Sequence, residues 1–87
     1  MTIIEIKDMI RKDVPIYYRR AYSGSAVVEI AGKTENMRTD WTIETTPIGT
    51  RETTITLTDK IDYPLLPLIK ELKKKIEYLD AEGKLPL

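Results

Sequence analysis

The sequence predicts an α+β fold: a two-layer α/β sandwich in the order α-β-β-β-β-α, an antiparallel four-stranded meander with both helices on one face. Three observations predict it. Apolar residues recur at helical spacing towards both ends, they alternate with period two through the middle, and turn-forming residues stand where the period changes. The 87 residues suit a single domain, 1–87, because roughly 40 residues per half would be too few to enclose a second core. A hydrophobic fraction of 41% against 32% charged is enough apolar material to offset chain entropy, so the chain is expected to fold.

The first element starts at Thr2-Ile3-Ile4-Glu5, which has the form of a capping box, with side chain and amide of Thr2 and Glu5 satisfying each other. Ile3, Ile6 and Ile10 follow at helical spacing with Met9 beside them, so a helix of about three turns is expected, ended by Pro15. Ile16 to Tyr22 and Ala26 to Ala31 read as a β-hairpin turned by Ser23-Gly24-Ser25, with Gly32 to Asn36 as a polar loop after it. Met37, Thr39, Trp41, Ile43 and Thr45 then alternate with Arg38, Asp40, Thr42, Glu44 and Thr46, which makes a third strand with Trp41 on its buried face. Pro47-Ile48-Gly49-Thr50 turns the chain into a fourth, with Thr53, Ile55 and Leu57 inward and Glu52, Thr54, Thr56 and Thr58 outward. From Tyr63 the period changes again. Leu65, Leu68, Ile69, Leu72, Ile76 and Leu79 form one stripe, so a second helix is expected, with Pro64 or Pro67 in its first turn, Gly83 as its cap, and Leu72 and Ile76 as anchors.

Histidine and cysteine are both absent, which removes the commonest general base, the common zinc ligands, thiol nucleophiles and disulfides. No catalytic, cofactor-binding or metal-binding residue is therefore assigned, and the chain is not expected to be an enzyme. Ser23 and Ser25 remain as nucleophile candidates, but serines flanking a glycine are ordinary turn formers. Asp59 and Asp62 could share a proton or bind a hard cation; the plainer reading places them at the mouth of the second helix, where they complement its dipole. The glycines at 24, 32, 49 and 83 are isolated, so no phosphate-cradling loop is present. Fourteen basic and fourteen acidic side chains cancel, and no global field draws the chain to nucleic acid or an anionic membrane. No stretch approaches the ~20 apolar residues of a membrane span, and Glu5, Lys7 and Asp8 interrupt any signal-peptide pattern, so a cytoplasmic location is expected.

Two features suit binding. Tyr17, Tyr18, Arg19 and Arg20, followed by Tyr22, would place aromatic and basic groups together on one face of a strand, a combination that suits either a protein interface or stacking on bases beside phosphates. The bland alternative is that the tyrosines complete the core and the arginines cap acids such as Glu29. Lys70-Glu71-Leu72-Lys73-Lys74-Lys75 is the second feature, with Glu71 opposite Lys75 and Glu77 opposite Lys73 or Lys74 balancing most of its charge. The functional expectation is a small interaction module, or an accessory or inhibitor protein, binding a protein partner of unknown identity or forming a homodimer through its sheet. In such a dimer Arg19 or Arg20 would pair with Glu29, Glu44 or Glu52 of the other copy. The alternative is a nucleic-acid-binding protein that uses the Tyr/Arg strand and the lysines of the second helix.

Overall fold

In the computed structural model, which describes residues 1–59 and 64–87, the chain runs β1 (Thr2–Lys12), β2 (Arg19–Ile30), β3 (Lys33–Thr45), β4 (Arg51–Leu57) and α1 (Leu65–Ala81). The four strands form one antiparallel sheet in the order β1-β2-β3-β4, and α1 packs on one face. The α+β class and the four-stranded meander hold. The N-terminal helix does not, and the order is β-β-β-β-α with one helix on the sheet.

The correction at the N-terminus has a definite cause. β1 pairs with β2 through two irregularities, one between Ile3 and Glu5 and one between Lys7 and Ile10, and Asp8 sits at φ 54 inside the second. Each bulge inserts an extra residue, which resets the side-chain alternation. Ile3, Ile6 and Met9 consequently all join the core at a spacing of three residues. A twice-bulged strand thus carries the spacing that in a regular chain marks a helix.

Ser23-Gly24-Ser25 is not a turn but the middle of β2, so the expected first hairpin is a single twelve-residue strand. Gly24 is there for close approach: a Cβ at this position would lie 3.1 Å from Ile6 Cγ2, 3.2 Å from the Lys7 carbonyl oxygen and 3.2 Å from Met9 Cγ, against the second bulge. The real turn is tighter and later. Ile30 pairs with Lys33 across Ala31 (φ 51) and Gly32 (φ 78), and two successive positive φ values make the type I′ connection that matches strand twist. The expected polar loop 32–36 is therefore mostly strand.

β3 and β4 follow the expected alternation, with Met37, Thr39, Trp41 and Ile43 buried on the helix side. Their hairpin turns through Pro47-Ile48-Gly49, with Gly49 at φ 86, the Gly49 amide donating to the Thr46 carbonyl and the Thr46 amide to the Thr50 carbonyl. α1 buries Leu68, Leu72, Ile76 and Leu79, each contributing ~1.5 to 3 kcal/mol on enclosure. It ends in a Schellman motif: Lys84 donates to the Leu79 carbonyl, Gly83 at φ 67 donates to that of Asp80, and Leu85 folds back into the core. Trp41 stacks on Tyr22 at 5.6 Å in the centre of this layer. The expected acidic helix entry is not found for Asp59, whose Oδ2 accepts from the Arg38 amide and closes the end of the β3–β4 ladder; Asp62 lies outside the described residues.

Candidate interaction site

The chain enters β2 through a β-turn, in which the Arg19 amide donates to the Ile16 carbonyl at 3.2 Å, so Tyr17 and Tyr18 occupy the corner of a turn and not alternating strand positions. The Thr45 amide donates to the Tyr18 carbonyl at 2.9 Å, which fixes this corner to the end of β3. Tyr17 is 99% exposed and Tyr18 43%, and their rings meet edge to face at 5.6 Å. Tyr17, Tyr18, Glu44, Thr45, Thr46 and Pro47 together line a cleft of about 530 Å³ at one end of the sheet.

The two arginines part company at this corner. Arg19 and Glu44 are directly opposite across β2 and β3, and Arg19 Nη2 donates to Glu44 Oε2 at 3.0 Å on the face away from α1. Arg20 lies on the helix side. Its guanidinium donates to both carboxylate oxygens of Asp80, at 3.0 and 3.3 Å, and to the Tyr22 hydroxyl at 3.1 Å, while Arg51 reaches Asp80 at 2.9 Å. The bond to Asp80 makes Arg20 harder to deprotonate than usual, against an opposing effect of burial. For Asp80, burial pushes the pKa up, but the Arg20 bond and the charges of Arg20 and Arg51 outweigh it and hold the carboxyl below its ordinary value.

Of the four residues expected to act together, the structure brings Tyr17, Tyr18 and Arg19 to one corner and turns Arg20 into a tie between sheet and helix. The acids that pair with the arginines are Glu44 and Asp80 of the same chain, not Glu29. The second wall of the cleft, Thr45 to Pro47, and the Ile48 tip beyond it, 86% exposed, escaped the sequence reading. A two-residue turn at Ala31-Gly32 was the available signal, since it alone sets the register that places Arg19 opposite Glu44.

The lysine-rich part of α1 is also largely committed. Lys74 lies 3.6 Å from Glu71. Lys75 and Lys84 sit over the Tyr78 ring at 5.7 and 5.6 Å. A shallower cleft of about 420 Å³ separates Glu71, Lys74, Lys75 and Tyr78 from the Met1–Ile3 stretch. Ser23, the nucleophile candidate, is buried within β2. Among the described residues no three acidic side chains converge to hold a metal ion, and no helix is long and apolar enough to cross a membrane.

Residues 1–81, which hold the whole sheet, the aromatic corner and α1, match the model of a single protein family. The chain belongs to the BB_0187 family. No curated protein and no solved structure matches it. The BB_0187 family match thus spans both walls of the corner cleft as well as the Arg20–Asp80–Arg51 tie.

Proposed function

We propose that this protein is a non-enzymatic interaction module that docks a protein partner at the corner formed by Tyr17, Tyr18 and the Thr45–Pro47 wall. The observation that carries the reading is Tyr17, 99% exposed on a hydrogen-bonded turn beside a formed cleft. A large aromatic side chain held out in water forfeits the stabilisation that burial would bring, and tyrosine is among the residues that dominate interface energetics. The neighbouring charges favour protein over nucleic acid. Arg19 and Arg20 are ion-paired to Glu44 and Asp80, so the tyrosines have beside them no arginine left over for a phosphate, and the overall charge is zero. The absence of histidine and cysteine supports a binding role over catalysis.

A photo-crosslinking side chain at position 17, with the same group at exposed Lys33 as control, tests the reading in cells. A protein adduct specific to position 17 is expected. A nucleic-acid adduct, or labelling no stronger than at position 33, overturns it.

A further inference from the structure

The corner is both concave and convex. The cleft ends at Pro47, and the next residue, Ile48, stands at the tip of the β3–β4 turn with 86% of its surface exposed. We propose that the partner is a second copy of this chain, docked about a two-fold axis with Ile48 of each copy seated in the Tyr17–Tyr18 cleft of the other. This rests on the interaction reading above and names its occupant.

A two-fold contact must be self-complementary, so a single patch has to supply both the knob and the hole. Here they adjoin. The hole is framed by two tyrosines and the Thr45–Pro47 backbone, and its 530 Å³ admits an isoleucine side chain with room for closure. The knob is pre-formed: besides the two backbone bonds that close the turn, the Thr50 amide donates to Thr46 Oγ1 at 3.2 Å and the two threonine hydroxyls meet at 2.6 Å. The tyrosine turn is likewise pinned by its own hydrogen bond and by Thr45. Little backbone entropy is lost when such rigid parts dock.

Charge permits the contact. Arg19 and Glu44, the charged pair at the cleft, neutralise each other within one chain, so two identical patches meet without like-charge repulsion. The arginines expected to reach across to the other copy's acids are already engaged at home, and the apolar Ile48 takes their place as the crossing group. Tyrosines bury ~150 to 250 Å² each when enclosed. Two of them with Ile48 and Pro47 fall short of the ~800 Å² per partner of a standard interface, which sets a weak, reversible dimer.

Sedimentation of the purified chain is the test. A monomer near 1 μM passing to a dimer towards ~100 μM is expected, with Ile48→Asp shifting the midpoint upward at least about tenfold. The chain has no native cysteine, so oxidising a mixture of Tyr17→Cys and Ile48→Cys chains reads the geometry directly. The mixed disulfide should form faster than the disulfide between two Tyr17→Cys chains. A monomer at every concentration, a dimer indifferent to Ile48→Asp, or no preference for the mixed disulfide overturns the proposal. If the pure chain is monomeric while position 17 still crosslinks specifically to another protein in cells, the self-docking idea fails and the interaction reading survives. If neither occurs, both fail.

Discussion

Arg20 on β2 and Asp80 near the end of α1, separated by 60 residues of sequence, meet through two hydrogen bonds at 3.0 and 3.3 Å. With Arg51 joining from β4, one carboxylate ties the C-terminal turn of the helix to two strands. This polar tie stands at the edge of an otherwise apolar contact and fixes where along the sheet the helix comes to rest.

Asp80→Asn keeps the volume and removes the charge, and is expected to cost about 1 to 3 kcal/mol near neutral pH. The wild-type contribution has a definite pH window. Because the folded Asp80 pKa lies below its ordinary 3.8, the stabilisation is complete above that value and is lost as pH falls through the folded pKa. The raised Arg20 pKa stabilises at every pH below the ordinary arginine range, so it adds no slope in acid. Urea unfolding across the acid range should show the gap between wild type and Asp80→Asn closing as pH drops. A gap that stays constant into strong acid would mean the pair is not the source.

Ala31 sits at φ 51, where an L-residue with a Cβ is strained by ~1 to 2 kcal/mol. Ala31→Asn creates the favoured pair for a type I′ turn ahead of Gly32 and should stabilise by about 0.5 to 1 kcal/mol, a rise in Tm of several degrees. Thermal unfolding decides it, and a lowered Tm would show that the turn is not held as described.

Gly24→Ala and Gly24→Val probe the bulge. A Cβ there presses on the Lys7 carbonyl, which is backbone and yields only if β1 moves, so a loss of about 1 kcal/mol for alanine and up to ~3 for valine is expected. Equal stability of all three proteins in denaturant would remove the close-approach role.

Trp41→Ala should cost ~3 to 5 kcal/mol. Trp41→Phe keeps a ring against Tyr22 and removes an indole N–H that has no acceptor among the described residues, so its cost should be much smaller. On α1, Leu72→Asp should unfold the chain while Lys74→Asp, which breaks only a surface pair, is tolerated. Circular dichroism with tryptophan emission follows all four. A water-like emission maximum in the wild type would refute the burial of Trp41.

The parts of the fold legible in the sequence were those where one rule acted alone. β3 and β4 alternate without a bulge, and α1 has its stripe, its early prolines and Gly83 in the expected places. Around β1 and β2 two rules conflicted. Thr2 and Glu5 fit a helix start and Ile3 and Ile6 a helical step, yet pairing with β2 overrides this local preference and absorbs the spacing in bulges. Gly24 between serines fits a turn, but its role depends on Ile6 and Met9, contacts that no local pattern encodes. At the candidate site the tyrosines were visible as a cluster. Their second wall was not, because it follows from a register set by Ala31, a residue that rarely takes positive φ.

The three-residue step of Ile3, Ile6 and Met9 carries a kinetic consequence. As the chain leaves the ribosome, segment 2–12 emerges before β2 exists to pair with it, and its only ordered option is a transient helix begun at Thr2. That helix has to be undone when β2 arrives, since the bulged strand is defined only by its neighbour. Docking of this edge is then a late event in folding, following the β2–β3 hairpin whose tight turn closes the shortest loop in the sheet. Substitutions that strengthen the early helix without touching the folded contacts would slow folding while leaving unfolding unchanged.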